Sequence, residues 1–331
     1  MIKKLEIKNF RGISEGKIEG FAQLNIFIGR NNSGKSTILE ALAINLDHNL
    51  IPQIVKRRGW HGFDSIFSLF RFKNVEEPIV ISSDISHVTL EPAMPTTDEI
   101  QFLVETYGFM RDIIALKVTF KADNSSTKYR LYFDISGKFE KIYEQQDKKP
   151  PGDVAFIDNQ SIYGKTPTNA YNMVFERGYE AHERLIEVLR TVYPDVKDIR
   201  IFSEGVGPEI VYKKGKVPFF VMGDGFRSAY IYLAYLMSVK YGYILCEEPE
   251  NYQHPSSRKL IVKGICKAAK DNQIFISTHS LELIDDILLE CDNIDIKFFV
   301  PTIKDGVLEY ISFDREEAEF RRRELEADLR G

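Results

Sequence analysis

The chain begins with a period of two. Leu5 and Ile7 alternate with Glu6 and Lys8, and after Asn9-Phe10-Arg11-Gly12 an apolar run returns at Ile18 to Phe21, so the first segment predicts a β-hairpin. Residues 24–29, LNIFIG, are almost continuously apolar, as a strand buried on both faces requires, and 36–46, STILEALAINL, predict a helix. This is the opening of an α/β unit. From about residue 75 to 158 the runs PIVISSDI, IIALKVTFKA, KYRLYFDI and DVAFID are broken by EPAMPTTDE, DNSS and QQDKKPPGD, which predicts a mostly antiparallel extension. A helix is expected over Glu176–Val192, ended by Pro194, and then a hairpin in PEIVYKKGKVPFFV with its turn at Lys214 and Gly215. Beyond residue 225, helices at 226–239, 255–270 and 280–290 alternate with strands at 242–247, 273–277 and 295–300, the rhythm of parallel βαβ crossovers. A last helix is expected over Asp314–Arg330, with Glu317 placed for a capping-box start.

Composition narrows the picture. The chain has 331 residues, 44% hydrophobic and 28% charged, enough for one large domain or two lobes. A formal net charge of -5 offers no global attraction to nucleic acid or to an anionic membrane. Local basic clusters exist at Lys56-Arg57-Arg58 and Arg321-Arg322-Arg323, and such runs are usually solvated faces. No 18-residue apolar stretch and no signal-peptide core is present, so a cytoplasmic protein without a membrane span is expected. Cys246, Cys266 and Cys291, widely spaced in apolar settings, are expected to be reduced core residues.

Four short stretches carry chemistry. GRNNSGKST, residues 29–37, has the spacing G-x-x-x-x-G-K-[ST] between an apolar strand and a helix, the context a phosphate-binding loop requires. Gly29 and Gly34 let the backbone of Arg30, Asn31, Asn32 and Ser33 curl so that N–H groups face a phosphate, and the helix beginning near Lys35 adds partial positive charge. Lys35 is expected on the β- and γ-phosphates, Ser36 on Mg²⁺ and Thr37 on an inner phosphate. YILCEEPENYQHP, residues 243–255, ends an apolar strand in adjacent carboxylates. Glu247 is expected to face the magnesium, and Glu248 to deprotonate the water that attacks the γ-phosphate. IFISTHS, 274–280, sets His279 at the end of another apolar strand, where an imidazole can hydrogen-bond the γ-phosphate. MGDGFRS, 222–228, is a Gly-Asp-Gly turn opening a helix, a second anion site built from Gly223, Asp224, Gly225 and Arg227.

In order and spacing these stretches resemble the ABC-type ATPase head. LEIKNFRGI, GRNNSGKST, EEPENYQHP and STHS are similar to the RecF, SMC and OLD (overcoming lysogenisation defect) group, closest to OLD-like AAA-family ATPases. The resemblance is specific over roughly residues 1–50 and 195–300 and architectural between them. It implies an α/β P-loop NTPase fold, a single ABC-type head in two lobes with a mixed β-sheet lobe and a helical/β insertion. Its parts would be 1–75 with the phosphate loop, 76–195 inserted, 196–313 with the signature, acidic and histidine motifs, and 314–331 as the C-terminal helix. It also implies a homodimer with ATP at the interface, each nucleotide closed by the partner's signature loop, Met222 to Arg227, and crossed by the loop Asn251 to His254.

Three positions depart from the pattern. Glu247 stands where most relatives have Asp, and Gly223 where transporters and SMC proteins have the signature serine. The family's Q-loop glutamine is assigned to Gln160, with a plain polar loop residue as the alternative, and Arg11 is assigned beside the nucleotide on the same footing. No long heptad segment interrupts the middle, which excludes coiled-coil arms, and no nuclease domain of the full-length OLD type is expected after the last helix. The function these motifs imply is Mg-dependent ATP hydrolysis that drives or gates a partner, a nuclease, a toxin or a DNA complex in genome maintenance or antiviral defence. A nucleotide-sensing switch or DNA clamp, in which occupancy rather than turnover matters, is the alternative.

Overall fold

A computed structural model describes residues 1–331 except 124, 147–151, 165, 203–206, 324–327 and 330–331. Along the chain it runs β1 (Lys4–Phe10), β2 (Ile13–Glu19), β3 (Leu24–Ile28), α1 (Lys35–Leu46), α2 (Ile51–Lys56), α3 (Asp64–Phe67), β4 (Ile79–Ser83), β5 (Ser86–Ala93), α4 (Thr97–Tyr107), β6 (Ile113–Ala122), β7 (Ser125–Asp134), β8 (Phe139–Gln145) and β9 (Val154–Ile157). It continues with α5 (Thr166–Glu176), α6 (Tyr179–Arg190), β10 (Asp198–Arg200), β11 (Glu209–Tyr212), β12 (Gly215–Pro218), α7 (Asp224–Ser238), β13 (Tyr243–Glu247), α8 (Pro255–Ala269), β14 (Gln273–Thr278), α9 (Leu281–Glu290), β15 (Ile296–Lys304), β16 (Val307–Asp314) and α10 (Arg315–Arg323). These elements form two compact units, the first from residues 1–21, 32–151 and 301–311, the second from 22–31, 152–300 and 312–331.

The first unit carries the strand order β8-β7-β6-β5-β4-β1-β2, each neighbouring pair antiparallel. Alternation decides which side is buried: in β1 Leu5 and Ile7 are buried while Glu6 and Lys8 are not. The expected hairpin and antiparallel extension are both present. One element of this region has no counterpart in the strand pattern. TTDEIQFLVETY forms α4, because Thr96 accepts from the Glu99 N–H while the Glu99 side chain accepts from the Thr96 N–H, a reciprocal capping box. Leu103 of α4 then packs with Phe109, Ile113, Ala115 and Tyr132.

The second unit has the order β15-β3-β14-β13-β9, all parallel, with β10-β11-β12 as a separate antiparallel sheet. Its core joins Ile26, Ile244 and Ile276 of the strands to Ala229, Leu233, Ile261, Ile265 and Ile284 of the helices. Four expectations change here. DVAFID is not part of the antiparallel extension: β9 pairs in parallel with β13, Val154 opposite Tyr243 and Ile157 opposite Cys246. The helix expected over Glu176–Val192 is α6, and a further helix, α5, precedes it where none was expected; Arg177 and Gly178 donate to Val174 and Phe175 in tight turns that end α5 before α6 begins. The strand expected at 295–300 continues to Lys304, and β16 follows where no strand was read. Cys266 and Cys291 are not reduced; they form a disulfide, Cα–Cα 4.9 Å, and Cys246 alone is free. Spacing concealed it, because 25 residues separate two cysteines that α8, β14 and α9 bring back together. Of the helix predicted over Asp314–Arg330, Arg315–Arg323 is seen as α10; Asp314 closes β16, residues 328–329 are not helical, and 324–327 and 330 lie outside the described residues.

The basic clusters are partly occupied. Arg57 pairs with Glu40, Arg322 with Asp285 and Arg321 with Glu317. Among the described residues no helix is long and apolar enough to cross a membrane.

Candidate active site

β3, β14, β13 and β9 run parallel as successive neighbours, so their carboxyl ends share one edge. The register sets Ile28 opposite Thr278, Glu247 opposite Ser277 and Ile157 opposite Cys246. Gly29, His279, Glu248 and Asp158 therefore leave the sheet side by side, at the edge where open α/β sheets bind ligands. The strands are buried throughout β3, β13 and β14, which fixes that edge.

Glu247, the last residue of β13, is 7% exposed, and the Tyr232 hydroxyl donates to its carbonyl at 2.8 Å. Glu248 follows with φ 47°, a left-handed backbone that costs a side-chain-bearing residue about 1–3 kcal/mol. Its N–H still donates to the Ser277 carbonyl, 2.9 Å. The carboxylate that results is held at both oxygens: Oε1 lies 3.2 Å from His279 Nδ1, and Oε2 accepts from Asn251 Nδ2 at 2.8 Å. A carboxylate oriented by an imidazole and an amide, just past a strand end, is fit to take a proton from a water molecule. Gln160 lies on the same edge, two residues beyond Asp158; its side chain is exposed and its N–H donates to Asp158 Oδ1, 3.0 Å.

Gly29, Arg30 and Asn31 leave β3 as part of the second unit, and from Asn32 the chain belongs to the first. Asn32 has φ 63° and Gly34 φ 99°. A Cβ at Gly34 would stand 2.9 Å from the Ile303 side chain, so the loop is tight as well as left-handed there. Gly34 caps α1 without a side-chain hydrogen bond, Lys35 is 5% exposed, and Ser36 and Thr37 are half-buried on the first turn. Ser33 Oγ is buried with no hydrogen-bond partner among the described residues. An orphaned hydroxyl beside a helix N-terminus and a buried ammonium suits a bound phosphate. Arg11, with φ 54°, sets Nε 2.9 Å from Glu40 Oε2 and Nη1 3.1 Å from Ser68 Oγ, and burial lowers its pKa. Arg57 and Arg58 meet the other Glu40 oxygen, so the fully buried Glu40 of α1 is neutralised by three guanidinium groups.

The third part is the start of α7. Gly223 caps the helix without a side-chain bond, and Asp224 pairs with Arg227, whose guanidinium lies 4.9 Å from the centre of the Tyr163 ring. Gly225 is required by close approach: a Cβ there would meet the Tyr252 carbonyl oxygen at 2.7 Å. Gln253 Nε2 also donates to the Gly225 carbonyl, 3.4 Å, so the loop Asn251–His254 rests on the turn that opens α7. Among the described residues no group of three or more His, Cys, Asp or Glu could hold a metal ion. A divalent cation on Glu247 or Ser36 would take its remaining ligands from water and phosphate oxygens, as Mg²⁺ does, and the donors present fit it.

Comparison with known proteins decides the family. Residues 1–175 match the family described as AAA ATPase domain, and residues 176–285 match one described as AAA domain, putative AbiEii toxin, Type IV TA system. The chain belongs to the AAA ATPase domain family. It is an ATPase, with an ABC-type head of the RecF/SMC group. An uncharacterized protein of Methanocaldococcus jannaschii, MJECL10, is 42% identical over 222 residues, 60% of this chain and 90% of that one. A Helicobacter pylori ATP/GTP phosphatase is 23% identical over 345 residues, 88% of this chain and 90% of that one. The fold of this AAA ATPase is that of an Smc head solved bound to the C-terminal winged-helix domain of ScpA, with TM-score 0.55, 17% identity, and 96% and 98% of the two chains covered.

The sequence reading missed two partners in this AAA ATPase. Asn251 was read only as part of an interface loop, yet it holds Glu248; the signal was its place three residues on, where a tight turn returns it, Asn251 N–H donating to the Glu248 carbonyl at 3.0 Å. Tyr163, stacked by Arg227, had no signal in its neighbourhood.

Proposed function

We propose that this ATPase hydrolyses ATP with Mg²⁺ as a dimer closed around two nucleotides, and that the cycle drives or gates a partner protein in nuclease, toxin or DNA-processing work inside the cell. Lys35 and the N–H groups of residues 29–34 hold the phosphates, and Ser36 and Glu247 hold the cation. Bound Mg²⁺ would neutralise charge on the phosphate oxygens. Glu248 takes the proton of the attacking water, His279 holds Glu248 and faces the γ-phosphate, and Gly223 to Arg227 close on the nucleotide of the second subunit. The observation that carries this reading is the Glu248 carboxylate, held at both oxygens at the sheet edge that Gly29 also leaves, two strands away. A toxin-related or defence-related partner is supported by the description of the family matched at residues 176–285, and a protein partner by the ScpA domain bound to the Smc head.

The test is Glu248→Gln. The amide keeps the size of the acid and cannot take the proton, so turnover is expected to fall about 100-fold or more while ATP binding survives. Light scattering after size exclusion should then show a stable dimer of the variant with MgATP, and a monomer with ADP. Normal turnover, or a monomer at saturating ATP, overturns the reading.

A further inference from the structure

Glu250 is the third acid of EEPE, and nothing in the hydrolytic scheme uses it. Its side chain is 8% exposed. Oε1 accepts from the Thr278 hydroxyl and from the His279 N–H at 3.4 Å, and it lies 3.8 Å from His279 Nδ1. Thr278 Oγ1 in turn accepts from the Ser280 N–H, 2.9 Å. One buried carboxyl thereby fixes three consecutive residues at the end of β14, with the imidazole that touches Glu248 in the middle. The other oxygen, Oε2, is buried with no hydrogen-bond partner among the described residues. A buried acid kept for stability alone would be expected to face a cation, because burying it unpaired is costly.

We propose that Glu250 is a positioning residue that sets His279, and through it Glu248, for attack on the terminal phosphate. This rests on the hydrolytic reading above. Burial pushes the Glu250 carboxyl up from its ordinary value, and the bonds by which it fixes Thr278 and His279 are both accepted at Oε1. A neutral isostere should serve.

The experiment measures steady-state phosphate release against ATP concentration, with Mg²⁺ present, for Glu250→Leu, Glu250→Gln, His279→Ala, Glu248→Gln and the double variant Glu250→Leu/His279→Ala, each checked for folding by circular dichroism. Glu250→Leu is expected to lower kcat about 10- to 100-fold with KM for ATP within about threefold, and Glu250→Gln to keep at least about half of wild-type kcat. On the His279→Ala background, Glu250→Leu should cost no more than about threefold further, because both changes remove one function. A folded Glu250→Leu variant with wild-type kcat, or losses that multiply in the double variant, overturns the proposal. Should Glu250→Leu fail to fold, Thr278→Val removes one link only and is expected to lower kcat several-fold, and unchanged kcat there overturns the proposal equally. Wild-type turnover by Glu248→Gln or His279→Ala sinks the hydrolytic reading itself. A dead Glu248→Gln beside a fully active Glu250→Leu sinks this inference alone.

Discussion

Glu247 and Glu248 were legible as a pair because an apolar strand that ends in two acids leaves few other uses for the charge. The partners of Glu248 were less so. His279 was readable from the end of its own strand, whereas Asn251 reaches Glu248 only through a turn whose left-handed backbone at Glu248 no composition announces. His48 was not singled out at all, since its LDHNL context reads as a polar helix end. In the structure it is buried beside Tyr129, Nδ1 3.2 Å from the hydroxyl, with Asp47 and Lys141 nearby. Burial brings its pKa down from 6.5 to about 4, and Asp47 offsets this only in part. The folded state therefore refuses a proton that the unfolded state accepts between pH 6.5 and 4. Stability contributed by neutral His48 is complete above pH 6.5, is lost as pH falls toward 4, and amounts to roughly 3 kcal/mol across that window. Urea unfolding at pH 7 and pH 4.5 should show this slope in wild type and a smaller one in His48→Gln. Equal slopes would remove His48 as the cause.

At the scale of elements, periodicity fixed most helices and strands of the second unit, because helices with one apolar face and fully apolar strands carry different periods. It failed where local chemistry overrode it. The α4 helix is set by the Thr96–Glu99 capping box in a stretch that also contains prolines, and the orientation of β9 is a tertiary fact, since a strand's partner is not written in its own residues. The Cys266–Cys291 bond belongs to this scale, as it joins α8 to the end of α9 across 25 residues. Closing a loop of that length removes unfolded-state entropy equivalent to about 3 kcal/mol. Thermal melts with and without a phosphine reductant should differ by several degrees in wild type and not in Cys266→Ser. Identical wild-type melts would show that the cross-link contributes nothing to stability.

For the molecule as a whole, the motif order announced an ABC-type head, since a phosphate loop near the start and acidic and histidine strands near the end belong together only if distant segments share a sheet. What the order left open is whether two copies act together. Mixing Lys35→Ala chains with Asp224→Arg chains tests it: if sites are composite, half the dimers are mixed and one of their two sites is intact, so roughly a quarter of wild-type activity should return at equal ratio. No recovery, with mixed dimers shown to form, counts against the composite site. The two compact units raise a practical matter. The chain passes between them at residues 21/22, 31/32, 151/152, 300/301 and 311/312, so neither is a continuous stretch. A fragment cut at 152–300 would lose β3, which lies between β14 and β15, and would expose the inner edges of both to pairing with other chains. Dissection of this protein by truncation should yield aggregates, and a soluble half would need residues 22–31 grafted back as a covalent extension.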